Sequence, residues 1–419
     1  MSRSAVAAVG SGVPVRFLMY NVDARDGVSR AVLTLVNELV RTHPVEIISL
    51  YQRHEGPAYA ISPDIRVTYL FDHPPVPRTD AATGEQPVPD TRYARRLRTR
   101  HPVRNLLARR RSRLADGRNF PNYSLLTDRA LARALRGIDD GVVVSTRPAL
   151  HAALARLARP GVVTIGQDHL NFMSRTTEPG SMAFIEEACR RGLRGFVTLT
   201  PSDAEDYRRT LAGTGTVVTS IPNALSWPVS APQERTARVV VSAGRLVPRK
   251  AMAQLVAAFA PVARRHPDWE LRIYGTGPLA EKLQRRIDRL DVRRQIRLMG
   301  HTEDLPAAFD DASVFASSSV AEGFPMVMLE ALSKGLPIVG TDCPRGPGDI
   351  IRHGRNGLLV PNRDVEALSE ALEQVVSDDA LRRSMGAEAL TDAEQYVPAS
   401  IAARWTRLFE ELGARPSAG

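Results

Sequence analysis

Cysteine and lysine are scarce in this chain of 419 residues. Its two cysteines, Cys189 and Cys343, stand far apart in the sequence. They match no metal-ligand spacing and no disulfide framework, and read as reduced core thiols of an intracellular protein. Aromatic residues make up only 5%. No apolar run approaches the ~20 residues that cross a bilayer. The small-residue stretch Ala5–Val13 lacks a signal-peptide core, so the expectation is a leader before the first strand of a cytoplasmic protein. No Asp-x-Asp metal motif stands beside a strand end. No helix-turn-helix, zinc or RNA-binding signature appears, and no heptad run or internal repeat is visible. With 43% hydrophobic and 24% charged residues, the composition excludes a disordered, collagen-like or disulfide-stapled chain. Its length predicts two or three domains, each large enough for its own core.

Only three of the 56 basic residues are lysines: Lys250, Lys282 and Lys334. Segment 92–118 holds eleven arginines against the single acid Asp116, a local charge of 11 − 1 = +10. That equals the net charge of the whole chain, so the excess is one patch on an otherwise balanced surface. His101-Pro102 interrupts the segment, which predicts two short helices. Three readings of the patch remain open: a solvated basic surface, an anionic membrane surface or anionic acceptor docked there, and nucleic acid. The absent signatures speak against the last, so no nucleic-acid partner is expected.

Strand-like and helix-like runs alternate along the chain, the pattern of βαβ units and parallel sheets. Strands are expected at Val15–Tyr20, Val45–Leu50, Arg66–Leu70, Val142–Ser145, Val162–Ile165, Phe196–Leu199 and Val217–Ile221. Helices fall between them, including Val28–Val40, whose apolar residues share one helical face, and Ser202–Leu211, opened by Ser202 as N-cap. The proline-rich stretch Asp72–Asp90 reads as a loop, and Pro222–Thr236 as an extended linker. The alternation then restarts with strands at Val239–Ala243, Glu270–Tyr274, Ile296–Met299, Val314–Ser317 and Pro337–Thr341. Two doubly wound α/β domains in tandem result. Ligands of such sheets bind at the carboxyl ends of the strands.

Three stretches at strand ends carry chemistry. After Val314–Ser317 comes Glu322-Gly323-Phe324-Pro325-Met326-Val327, running into a helix that contains Glu330. Pro325 suits the first helical position. The N–H groups of Phe324, Met326 and Val327 would then form an anion site at the positive helix end. Glu330, flanked by Met328, Leu329, Ala331 and Leu332, needs a partner in that apolar setting. The plainer alternative is two acids on a solvated helix start. Gly244-Arg245-Leu246-Val247-Pro248-Arg249-Lys250 follows the strand Val239–Ala243 and offers a guanidinium fork and an ammonium to phosphate oxygens. Tyr274-Gly275-Thr276-Gly277-Pro278 is a glycine turn that reads equally as a binding loop or a plain tight turn, because it lacks the rest of a dinucleotide fingerprint.

Together with Gly335-Leu-Pro-Ile-Val-Gly-Thr-Asp-Cys-Pro-Arg-Gly-Pro-Gly-Asp-Ile-Ile and Gly354…Gly357-Leu-Leu-Val-Pro, these stretches resemble the retaining GT-B glycosyltransferases, the family 4 group (glycosyl transferases group 1). The resemblance covers roughly 235–395 strongly. It extends loosely over the rest through Gly27-Val28-Ser29 and Leu199-Thr-Pro-Ser-Asp-Ala204. It implies a GT-B fold of two Rossmann-like domains facing each other across a cleft. Residues 1–224 would be the acceptor side, 225–398 the nucleotide-sugar side, and 399–419 a helix crossing back. It implies metal-independent transfer of a sugar from a nucleotide-diphosphate sugar, a UDP-sugar being expected, with retention at the anomeric carbon. No cofactor is implied beyond that co-substrate.

By the same resemblance Arg245 and Lys250 neutralise the diphosphate, Glu330 accepts from ribose hydroxyls, and Glu322 binds the transferred sugar. Gly275, Gly277, Gly323, Phe324, Pro325, Met326 and Val327 line the donor, and Met299 lies in the turn that meets the base. Gly27 lets the backbone approach the donor phosphate, and His169 after the strand Val162–Ile165 touches sugar or acceptor, with Asp168 a candidate to orient it. Two positions depart from the family pattern: Asp26-Gly27 stands where members carry a glycine pair, and Ala251 where glycine follows the lysine. The second reads as minor, since helix N-termini accept alanine. The expected acceptor is a glycan, lipid-linked sugar or anionic polymer of the cell envelope, with the protein peripheral on the inner face of the membrane. The alternatives are a soluble small-molecule acceptor and a non-catalytic sugar-nucleotide-binding module.

Overall fold

A computed structural model describes residues 12–71, 102–114 and 122–414. The expected leader, the loop 72–90, and positions 92–101 and 115–118 of the basic segment lie outside the described residues. In the remainder of that segment a helix spans Pro102–Arg109, and Arg109, Arg110, Arg111 and Arg113 are exposed.

The described residues form two compact units, one of 12–71, 102–114, 122–224 and 401–414, the other of 225–400. The first is built on a seven-stranded sheet of β1 (Val15–Asn21), β2 (Val45–Tyr51), β3 (Arg66–Phe71), β4 (Val142–Ser145), β5 (Val163–Gln167), β6 (Gly195–Thr198) and β7 (Val217–Ser220). The second holds six strands, β8 (Val239–Ala243), β9 (Glu270–Tyr274), β10 (Ile296–Gly300), β11 (Val314–Ser317), β12 (Ile338–Asp342) and β13 (Gly357–Pro361). The orders are β3-β2-β1-β4-β5-β6-β7 and β10-β9-β8-β11-β12-β13. Every pairing is parallel, as between Val15 and its neighbours Val45 and Val142. Helices cover both faces, so the central strands are mostly buried, and β4 and β8, buried along their whole length, read as continuous apolar runs such as Val-Val-Val.

The α/β architecture expected from the alternation is therefore observed, with three local corrections. The strand β13 is not expected from the sequence, because only three apolar residues, Leu358, Leu359 and Val360, sit between a glycine and a proline. The helix expected from Ser202 spans Pro201–Thr210 and is capped by Thr200, whose Oγ1 accepts from the N–H of Asp203 at 3.1 Å. Threonine wins the cap because the proline that follows it fits the first helical position. Pro325, expected at the first helical position, is instead the cap of the helix Met326–Ser333: its backbone is extended (φ −76°, ψ 90°), and the helix begins one residue later.

The final helix, Pro398–Glu411, is sealed into the first unit from residue 401 onward. Trp405 is fully buried, with its ring centroid 6.3 Å from Phe17 and 5.9 Å from Phe409. His43 lies 3.0 Å from the Val13 carbonyl through Nδ1 and 3.0 Å from Thr406 Oγ1 through Nε2. The carbonyl can only accept, so Nδ1 donates to it; in the neutral ring that burial favours, Nε2 accepts from the threonine hydroxyl. On the other face His151 is buried with Nδ1 2.7 Å from Ser145 Oγ.

Burial lowers the pKa of His43 and drives that of His151 down to about 3. The unfolded chain therefore binds more protons than the native one below pH 6.5, and stability falls as pH drops. Between pH 6.5 and 5, before carboxylates titrate, His151 alone should remove about 2 kcal/mol. Calorimetry should show a melting temperature that declines across this window; a flat profile would refute the neutral buried histidines.

Candidate functional site

In the second sheet the strand order reverses between β8 and β11, which opens a crevice at their carboxyl ends. The turn after β8 and the turn after β9 are seated backbone to backbone. Gly244 N–H donates to the Tyr274 carbonyl at 3.0 Å, Leu246 N–H to the Thr276 carbonyl at 2.8 Å, and Leu279 N–H to the Leu246 carbonyl at 3.1 Å. Gly275 and Gly277 have φ of +131° and +159°. A Cβ would stand 2.1 Å from the Gly244 carbonyl oxygen at position 275 and 2.5 Å from that of Leu246 at position 277. Their first duty is thus to let the two turns touch, which fixes the path of the segment carrying Arg245 and Lys250.

Lys250 ends a short 3-10 turn, Pro248–Lys250. Its Nζ donates to Glu322 Oε1 at 2.5 Å, with side-chain exposures of 14% and 7%. Ser319 Oγ donates to the same oxygen at 2.6 Å. The preceding Ser318 turns its hydroxyl the other way, 3.1 Å from the carbonyls of both Lys250 and Ala251. Ala251 is left-handed at φ 46°, ψ 34°, so its departure from glycine is not minor: a Cβ there costs about 1–2 kcal/mol, and the Ser318 hydroxyl helps to hold it. Arg245, by contrast, is exposed, and its guanidinium has no ion-pair partner among the described residues.

The loop before Met326–Ser333 is clamped from behind. Glu322 N–H donates to the Pro344 carbonyl at 3.1 Å, and Arg345 N–H to the Glu322 carbonyl at 2.9 Å. A Cβ on Gly346 (φ +103°) would press to 2.8 Å from Pro325 and 3.1 Å from the Gly323 carbonyl. Phe324 packs towards Tyr396, centroids 6.2 Å apart. Met328 N–H turns back to the Pro325 carbonyl at 2.9 Å, so Met326 and Val327 supply the N–H groups that have no acceptor within the helix. Glu330 is 1% exposed, much less open than the cationic turn, and Met299 is exposed on β10.

Gly27 and His169 belong to the first unit. Gly27 opens the helix Gly27–Leu39, and a Cβ there would meet nothing within 4 Å. Asp26 turns its carboxylate onto the N–H of Ser29 at 2.8 Å as the cap, which disposes of the acid beside Gly27. His169 follows β5. Both of its ring nitrogens are shielded from solvent and have no hydrogen-bond partner among the described residues, and burial lowers its pKa to about 4. Asp168 does not orient it. Burial opposes its charge, but Arg175 outweighs this and holds its pKa low, with Nη2 at 2.6 Å and Nε at 3.0 Å, while Tyr207 donates at 2.8 Å. Sequence reasoning missed Arg175 and Tyr207, which lie 7 and 39 positions away. It also missed Ser318 and Ser319, although a serine run ending a buried strand just before an acid is a legible sign.

Residues 227–392 match the family described as Glycosyl transferases group 1. Over 404 residues the chain is 32% identical to the exopolysaccharide phosphotransferase SCO2592 of Streptomyces coelicolor, covering 96% of this chain and 41% of that protein. It is 23% identical over 301 residues to the poly(ribitol-phosphate) alpha-N-acetylglucosaminyltransferase of Staphylococcus aureus, covering 71% and 60%. The chain thus spans less than two thirds of the length of either relative. Among solved structures, Anabaena HepE in complex with UDP superposes with a TM-score of 0.68 at 15% identity, covering 95% of this chain and all of that one. The chain has the GT-B fold, with two Rossmann-like parallel sheets.

The glycines should separate by role. Gly277→Ala should destabilise the second unit by about 2 kcal/mol or more, because both φ and space forbid a Cβ. Gly27→Ala should leave stability within about 1 kcal/mol. Urea titration of the two variants checks this, and equal effects would contradict the seating of the turns.

Proposed function

We propose that the chain is a glycosyltransferase that moves a sugar from a nucleotide-diphosphate sugar, a UDP-sugar, to a phosphate-bearing glycoconjugate of the cell envelope. The single observation that carries this reading is the buried Lys250–Glu322 pair beside the exposed Arg245, at the crevice of a segment that matches glycosyl transferases group 1. The UDP in the HepE structure and the polyol-phosphate acceptor in the name of the staphylococcal relative support the choice of donor and acceptor.

On this reading Arg245 and Lys250 face the diphosphate and stabilise the charge that builds as the C1–O bond to the β-phosphate breaks. Glu322, held by Lys250 and Ser319, accepts from hydroxyls of the departing sugar. Glu330 serves the ribose, and the N–H groups of Met326 and Val327 face phosphate at the helix mouth. The acceptor oxygen forms its bond to C1 on the face the leaving group vacates, and its proton passes to the departing phosphate oxygen. The anomeric configuration is retained. With two cations on the diphosphate, the reaction is expected to proceed in the presence of EDTA.

A second reading comes from the streptomycete relative, whose name specifies phosphotransfer and which matches nearly all of this chain. The nucleotide product separates the two: sugar transfer from a UDP-sugar releases UDP, whereas transfer of the sugar phosphate releases UMP. We expect UDP. Arg245→Ala and Glu322→Gln should each lower kcat/KM by about 100-fold or more, with folding checked by circular dichroism. Release of UMP, or full activity in both variants, would overturn the proposal.

A further inference from the structure

The strand order reverses in the first sheet as it does in the second, here between β1 and β4, and the carboxyl ends of that pair carry a cluster of cations. Tyr20 lies near the end of β1. The guanidinium of Arg147, in the segment after β4, sits 5.0 Å from the Tyr20 ring centroid, and that of Arg53, after β2, 5.4 Å from the same centroid. Arg53 Nη2 also donates to the Tyr20 hydroxyl at 3.0 Å. Tyr51 and Tyr123 pack against the ring at 5.2 and 5.9 Å and fix its plane.

Two guanidiniums on one ring repel each other, and the place makes this worse. Arg147 is the N-cap of the helix Pro148–Leu157, where its side chain makes no cap bond and adds a positive charge to a positive helix end. It is exposed, and no carboxylate pairs with it among the described residues. The nearby Asp23 accepts through Oδ2 from the N–H groups of Arg53 and His54, while its buried Oδ1 has no hydrogen-bond partner among the described residues. At the end of the adjoining β5 stands His169, whose two shielded nitrogens have no hydrogen-bond partner among the described residues. Burial is the main force that keeps this ring neutral; Asp168 and Asp26 oppose it, and Arg175 and Arg147 add to it. Convergent cations, a polar ring lacking partners and a topological switch point together describe a site for an anion.

We propose that Tyr20, Arg53, Arg147 and His169 form a subsite in the first unit that seats a phosphate group of the glycosyl acceptor. This rests on the reading of the chain as a glycosyltransferase with a phosphate-bearing acceptor. The planar guanidinium of Arg147 offers a phosphate two parallel N–H donors, and an anion between Arg147 and Arg53 turns their repulsion into attraction. The site is separate in residues from the cationic turn Arg245–Lys250, so acceptor and donor phosphates have different partners.

The test titrates the full chain with a synthetic glycerol-phosphate hexamer and, separately, with UDP, by calorimetry at 50 and 300 mM salt. The wild type should bind the hexamer, more weakly at high salt, and should not bind a neutral glucose oligomer of equal length. Arg147→Gln, a change at an exposed position, should weaken hexamer binding at least tenfold and leave the UDP dissociation constant within twofold, with Arg147→Lys between the two. Arg245→Ala should do the reverse. Failure of the wild type to bind the hexamer, or undiminished binding by Arg147→Gln, overturns the subsite. Loss of UDP binding in Arg147→Gln overturns it in favour of a donor-phosphate role. If the hexamer binds through Arg147 while UDP does not bind at all, the subsite stands and the donor assignment falls.

Discussion

The contact between Lys250 and Glu322 governs the second unit's crevice. Two opposite charges held mostly away from water are tolerable only if their geometry is good and further hydrogen bonds complete it. The 2.5 Å contact and the Ser319 hydroxyl supply both. Everything nearby serves to bring these two groups together. The lysine end is set by the glycine turns at 244, 275 and 277 and by Ser318, and the glutamate end by the loop through Pro344, Arg345 and Gly346. The pair leaves Arg245 and Arg249 as the exposed cations of the turn. On the proposed reading the turn would offer a diphosphate the exposed fork of Arg245 and an ammonium already fixed in place.

Much of this fold was legible because buried parallel strands leave runs that nothing else produces. Val142–Ser145, Val239–Ala243, Glu270–Tyr274 and Val314–Ser317 begin and end where the apolar pattern places them. Helix starts were less legible, since Thr200 competes with Ser202, and Pro325 with Met326, over distances that periodicity does not resolve. The candidate site divides in the same way. Arg245, Lys250, Glu322 and the glycine turn were readable as polar or glycine residues at strand ends. The pairing of Lys250 with Glu322 was not, because they are 72 positions apart and each had a ligand role that left it independent of the other. Asp168 shows the opposite failure: its neighbour in sequence is a histidine, but its partner in space is Arg175, which β5 and the following helix bring underneath.

The two sheets apply one topological rule with different materials. In the second unit glycine removes side chains so that backbones touch and a rigid cationic turn results. In the first, aromatic rings do the fixing: Tyr51 and Tyr123 hold Tyr20, and Tyr20 holds two guanidiniums. A rigid turn suits a ligand whose diphosphate must be met at one place as a bond breaks. Of the two guanidiniums on that ring, Arg53 is also tied to the tyrosine hydroxyl, whereas Arg147 is exposed and makes no ion pair among the described residues, so on the proposed reading it is the fork that adjusts to an acceptor phosphate.

The scarcity of lysine gives these assignments a further edge. Of 56 basic residues only three are lysine, so arginine is the ordinary cation of this chain and each lysine stands against the trend. Two of them, Lys250 and Lys334, keep side-chain exposures of 14% and 12% while paired to Glu322 and Asp310. At both places a largely shielded ammonium is held by a carboxylate. At Lys250 the constraint is visible: even a Cβ on Gly244 would come within 3.3 Å of the lysine Cε. The lysine stem thus runs close over Gly244, and its ammonium meets Glu322 as a point charge. A planar guanidinium presents its donors differently, so replacing Lys250 by the chain's ordinary cation would not be a conservative change.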